Sequence, residues 1–178
     1  MHFFIFLLFS LFFPLQETVF ECQNGTIHFV SEAPLELIQA NSKQMKGVLR
    51  TQDQGFAFSV ANSTFEGFNS PLQKEHFNEN YMESKVYPKI SFRGKIIEPI
   101  DFSKKGSYKV RAKGMLNAHG VDQERIIQAD LVVNDKTVKI SSRFNVLLQD
   151  HNISIPKIVY QKIAEEITVD VNATLTLK

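Results

Sequence analysis

Alternation of apolar and polar residues with a period of two constrains this chain more than any other feature. In "KISFRGKI", Ile90, Phe92, Gly94 and Ile96 share one face and Lys89, Ser91, Arg93 and Lys95 the other, as a half-buried strand requires. "YKVRAKGML" sets Tyr108, Val110, Ala112, Gly114 and Leu116 against lysines and Arg111. "TVKISSRFNV" does the same with Val138, Ile140, Ser142, Phe144 and Val146, and "ITVDVNATLTL" with Ile167, Val169, Val171, Ala173, Leu175 and Leu177. Adding 26–31, 44–51, 56–65 and 124–133 gives about eight strands. Their separators are turn sequences, "QDQG", "SKKG", "AHGVD" and "NDK", short enough to make neighbours antiparallel.

Each strand has one apolar face, so the sheet must pack on another sheet or close on itself. Eight long antiparallel strands favour closure into an up-and-down barrel, whose interior is filled by side chains or holds one small ligand. The expected fold class is therefore all-β, an antiparallel eight-stranded barrel. Parity breaks once, in 56–65, where Phe56, Phe58 and Val60 lie on one face and Phe65 on the other; this predicts a bulge near Asn62.

Two short helical insertions interrupt the strands. The first opens with Ser70 as N-cap, Pro71 at the first helical position and Gln73 completing a capping box; it runs toward Ser84 with a break near Asn78. The second, "SIPKIVYQKIA", carries a stripe of Ile155, Ile158, Val159 and Ile163 that should pack against the sheet or close a barrel end.

The N-terminal run Phe3 to Phe13 is too short to span a bilayer and matches a secretory leader in length. It lacks a preceding Lys or Arg and a small-x-small cleavage pair. The expected organisation is a signal peptide over 1–17, with the cut between Leu15 and Gln23, and one barrel domain over 18–178. Cys22 is the only cysteine and forms no internal disulfide; the Glu before it departs from a lipidation signal. Asn24, Asn62, Asn152 and Asn172 begin glycosylation sequons.

A net charge of +1 gives no field to gather nucleic acid or an anionic membrane. In "SFRGK" the ring and the cations lie on opposite faces and cannot grip one nucleic-acid strand together. The histidines lack zinc spacing, and neither a phosphate loop nor a nucleophile elbow is present, so no metal or cofactor is expected. On the apolar faces the only titratable side chain is Tyr108, which argues against acid–base catalysis inside the barrel and against an enzyme.

Four pieces in order, "GTIHFVSEAP", "HFNENYMESKVYPKISFRGKI", "GMLNAHGV" and "DHNISIPKI", resemble the YceI-like family of polyisoprenoid-binding proteins, and the resemblance covers residues 25 to 178. It implies a lipocalin-like barrel exported to the periplasm or secreted to the envelope of a bacterium. It further implies a binding protein, in many members a homodimer, whose elongated apolar cavity takes an isoprenoid or other long-chain lipid. The chain departs from relatives at "AHGVDQER", where Asp122 and Gln123 stand in the place of Thr and Lys.

Small inward residues, Gly94, Ala112, Gly114, Ala129, Ser142 and Ala173, alternate with rings. They either taper a filled barrel or leave a tunnel. With the resemblance, the tunnel is favoured. Its expected wall is Phe56, Phe58, Ile90, Phe92, Val110, Ala112, Leu131, Val138, Ile140 and Phe144. Phe77, Tyr81 and Met82 face the barrel end from a lid, while Glu75, Glu79 and Glu83 form its solvated side. Tyr81, Asn80 and Arg93 are the head-group candidates at the mouth. The competing expectation is an envelope interaction module with a filled barrel and no ligand.

Overall fold

A computed structural model describes residues 18–178; the expected secretory leader lies outside the described residues. Eight strands run in chain order: β1 (Val19–Glu32), β2 (Leu37–Arg50), β3 (Gly55–Ala61), β4 (Lys89–Ile96), β5 (Gly106–Ala118), β6 (Val121–Val133), β7 (Thr137–Leu147) and β8 (Glu166–Leu177). Each pairs antiparallel with the next, and β8 returns to β1, so the barrel is closed and its strands share one circular ladder. Closure removes the unpaired edges that an open sheet would expose. The all-β barrel read from the alternation is the observed fold.

β1 and β2 reach further than their alternation indicates, because each changes parity midway. Phe20, Cys22, Gly25 and Ile27 are buried along β1, and Ala40, Ser42, Met45, Gly47 and Leu49 along β2. The register shifts between Cys22 and Gly25 and between Gly25 and Ile27 let both strands turn the opposite set inward. Beyond β3 the expected bulge is instead a turn of 3-10 helix, Asn62–Thr64. That turn rotates the chain so that Phe65 points inward and is almost wholly buried.

The first helical insertion forms as α1 (Pro71–His76), followed by a π-helical segment, Phe77–Tyr81. Ser70 Oγ accepts from Gln73 N–H at 3.1 Å, as the cap requires. The Gln73 side chain accepts from Asn69 N–H rather than from the N-cap residue, at 3.0 Å. The second expected helix is only a 3-10 turn, Lys157–Val159. Its apolar stripe splits: Val159 and Ile163 turn to the barrel, while Ile158 is exposed.

The two long connections, 62–88 and 148–165, lie at the same end of the barrel as the tight turns 33–36 and 119–120. The other end is shut by packing. Phe20, Val133, Val138 and Leu175 are buried there, and the connection 97–105 folds across it. Gln54 holds that connection, donating to the carbonyls of Ile96 (3.1 Å) and Glu98 (2.9 Å) and accepting from Ile100 N–H (2.6 Å).

A candidate lipid-binding cavity

The barrel interior is not filled. An apolar cavity of about 520 Å³ runs from the packed end to the two long connections, within the size range of small-molecule sites. Twelve of the thirteen expected wall and lid residues line it: Phe56, Phe58, Phe77, Tyr81, Met82, Ile90, Phe92, Val110, Ala112, Leu131, Ile140 and Phe144. Val138 does not. It is fully buried in the packed end, one inward step beyond Ile140, where the barrel has no free space left.

Two aromatic groups form the wall. Deep in the barrel, Phe56 contacts Phe58 and Phe92, with ring centroids 6.0 and 5.0 Å apart. Phe58 lies over Gly47 on the neighbouring strand, where a Cβ would come within 2.1 Å of the ring. Near the mouth, Phe77 from the lid stacks on Phe29 at 5.5 Å and 17° and also meets Phe65 and Phe68. Phe29 and Phe68 escaped the sequence reading because one is on a strand whose parity shifts and the other is in an irregular segment.

Gly94 and Gly114 are small for another reason than a tunnel. They pair directly across β4 and β5, and a Cβ on Gly94 would sit 2.0 Å from the Lys113 carbonyl oxygen. Neither lines the cavity. Their role is the close approach of two backbones across the β4–β5 pair.

The barrel wall contributes no titratable side chain to the cavity; its polar members are Ser31, Ser59, Ser91 and Ser142. Ser142 is already spent on the Gln128 carbonyl at 2.6 Å. Tyr108, the expected inward ionisable group, is at the shut end, its hydroxyl toward the Lys104 carbonyl. Ionisable groups enter only from the connections, as Glu36, His76, Tyr81 and Lys162. Burial pushes the Tyr81 phenol above its ordinary value, so it stays neutral and able to donate. Of the other head-group candidates, Asn80 is exposed on the lid and Arg93 is on the outer wall, 3.7 Å from Asp122. Glu36, Gln73, His76 and Lys162 were not anticipated, since their positions depend on how the connections fold over the mouth.

The lid is tied down at both ends. Asn62, fully buried, donates from Nδ2 to the Tyr87 carbonyl at 2.7 Å, and its own N–H donates to the Pro88 carbonyl. Such burial also removes Asn62 as a glycosylation acceptor, whereas Asn24, Asn152 and Asn172 are exposed. On the other side His119 and Gly120, both with positive φ, form the β5–β6 turn. The His119 ring packs edge-on against Tyr87, and its Nε2 lies 2.6 Å from Glu83 Oε2. Its Nδ1 lies 3.0 Å from the His151 carbonyl, so one imidazole joins the lid, a barrel turn and the 148–165 connection. Glu83 is therefore a fastening rather than part of a free acidic face. Among the described residues no three His, Cys, Asp or Glu side chains converge as metal ligands, and no helix is long and apolar enough to cross a membrane.

The sequence matches the family model described as the YceI-like domain over residues 18–175. Among solved structures, a polyisoprenoid-binding domain from Saccharophagus degradans implicated in plant cell wall breakdown superposes with a TM-score of 0.76 at 11% identity, covering 92% of this chain and 100% of that one. BcnA of Burkholderia cenocepacia gives 0.70 at 12% identity, over 84% and 95%. A YceI protein of Campylobacter jejuni gives 0.62 at 16% identity, over 78% and 84%. No curated protein sequence matches.

Proposed function

The chain belongs to the YceI-like family, and from that premise we propose that it is an exported binding protein that holds a polyisoprenoid or other long-chain lipid in its barrel. The observation that carries this reading is the cavity itself: about 520 Å³, walled by phenylalanines and branched aliphatics, with ionisable groups only at one end. That arrangement accepts a long apolar tail inside and a polar end at the mouth. Each methylene moved from water into such a wall contributes about 0.8 kcal/mol, so a tail needs no specific polar contact to be held. At about 30 Å³ for a water-sized group, the space takes on the order of 17 such groups. A longer polyprenyl chain would fill the barrel and emerge between the lid and the 148–165 connection.

Binding rather than turnover is the reading this wall supports, since the strands bring no titratable side chain to its depth. The relative from S. degradans is described as polyisoprenoid-binding, which favours the isoprenoid over a plain acyl chain. Export rests on the apolar run Phe3 to Phe13, and a bacterial periplasm or cell exterior is the compartment it suggests. The test is native mass spectrometry and organic extraction of the purified chain, with titration of a fluorescent fatty-acid probe. Co-purified lipid or saturable probe binding is the expected result; repeated preparations without lipid, and no probe binding, would sink the proposal.

A further inference from the structure

Outside the cavity, at its mouth, the chain leaves large apolar side chains in water. Ile158 is 92% exposed and Leu35 67%, and Leu37, Leu72 and Tyr160 are also exposed. Three hydrogen bonds bring their segments into one edge. Leu35 N–H donates to the Gln161 carbonyl at 2.9 Å, joining the β1–β2 turn to the 157–163 segment. Asn69 donates to the Leu37 carbonyl at 2.9 Å and Gln73 to Glu36 at 2.9 Å, joining the same turn to α1. These segments also supply Leu72, Val159, Lys162 and Ile163 to the cavity wall. The exposed apolar rim is thus continuous with the apolar interior.

A contiguous exposed patch of this kind marks an interaction surface. Its position at the cavity mouth suits one kind of partner. Lys157 and Lys162 flank Ile158 and pair with no acid among the described residues. Glu36 and Glu165 nearby keep their charge, since they hydrogen-bond neutral groups, the Gln73 amide and the Tyr160 hydroxyl at 2.6 Å, so the rim carries both signs. Exposed apolar side chains that run on into an apolar cavity, ringed by charges of both signs, suit the surface of a lipid bilayer.

We infer that the mouth rim, Leu35, Leu37, Leu72, Ile158 and Tyr160, seats on the surface of a lipid bilayer, so that a lipid chain passes between leaflet and cavity without crossing water. This rests on the proposed binding function. A lipid leaving a closed barrel into water would expose its whole tail, whereas a seated rim gives it a continuous apolar path.

The experiment uses the full chain with vesicles of zwitterionic phospholipid and vesicles that also contain anionic phospholipid, read by flotation. The wild type is expected to float with both, since the apolar rim drives the contact. Replacing both Leu35→Ser and Ile158→Ser is expected to lower partitioning by about tenfold or more, given the apolar area lost, while Ile126→Ser, exposed on the outer wall, leaves it unchanged. All variants should bind a fluorescent fatty-acid probe in solution like the wild type. Failure of the wild type to float, or flotation unaffected by the rim substitutions, would overturn the inference. So would sedimentation showing that the same substitutions dissolve a dimer and leave flotation intact. Loss of probe binding in every protein, with flotation intact, would instead overturn the binding reading and with it the exchange role.

Discussion

His119 Nε2 and Glu83 Oε2 lie 2.6 Å apart, joining the β5–β6 turn to the end of the lid. Glu83 is half exposed, but the His119 side chain is largely buried between Tyr87 and the His151 carbonyl. The pair therefore works less as a surface ion pair than as one corner of a three-way junction. His119→Asn tolerates the left-handed backbone while removing both long contacts. It should lower unfolding free energy by about 1–2 kcal/mol and, where ligand exchange is limited by lid opening, speed dissociation of a bound probe. Denaturant titration and stopped-flow displacement read the two effects; an unchanged off-rate would show that lid opening does not limit exchange.

Gly94 and Gly114 make the backbones of β4 and β5 meet without side chains between them. Gly94→Ala puts a Cβ against the Lys113 carbonyl, and no flexible side chain is there to give way. The expected cost is about 2–3 kcal/mol or failure to fold. Gly106→Ala, whose Cβ meets only the Tyr108 ring at 3.2 Å or beyond, should cost clearly less. Equal thermal midpoints for the two variants would remove close approach as the reason for the glycine pair.

The barrel was legible in the sequence where alternation runs unbroken, as in β4, β5, β7 and β8, because parity on a regular strand maps directly to inside and outside. It was illegible where regularity fails. The register shifts at Gly25 hide half of β1 and β2, and near Asn62, where the parity break pointed to a bulge, a 3-10 turn brings Phe65 inward instead. The deep wall residues follow from strand parity alone; the mouth does not. Glu36, Gln73, His76 and Lys162 converge only after α1, the β1–β2 turn and the 157–163 segment have docked. In the second insertion, helical spacing of isoleucines indicated a helix, but Pro156 and the short span leave a single 3-10 turn with Ile158 in solvent.

Filling the cavity should separate binding from folding. Ala129 lines the cavity, packed beside the buried core. Ala129→Phe should occupy volume that a tail would otherwise take, at a stability cost of about 1–3 kcal/mol. Probe affinity should fall by about tenfold or more, the equivalent of a few displaced methylenes. A variant that folds normally and binds the probe undiminished would place the ligand elsewhere.

His151 sets the pH dependence. Its side chain is fully buried, Nδ1 facing the Val121 carbonyl at 3.2 Å and Nε2 without a hydrogen-bond partner. Burial lowers its pKa below the ordinary histidine value, outweighing the carbonyls and Asp150, which act to raise it, while Arg125 adds to the lowering. The unfolded chain, with an ordinary imidazole near 6.5, therefore binds the proton first as pH falls. Stability is unaffected by this group above that value and declines as pH drops through it toward the lowered folded value, where the native state begins to protonate too. His151→Gln keeps an amide able to donate to Val121 and removes the titration. Urea midpoints from pH 7.5 to 5 should fall less steeply in this variant than in the wild type. Because His119 is held by the His151 carbonyl, the same acidification should loosen the lid junction, and parallel slopes in the two proteins would show that His151 does not carry the effect.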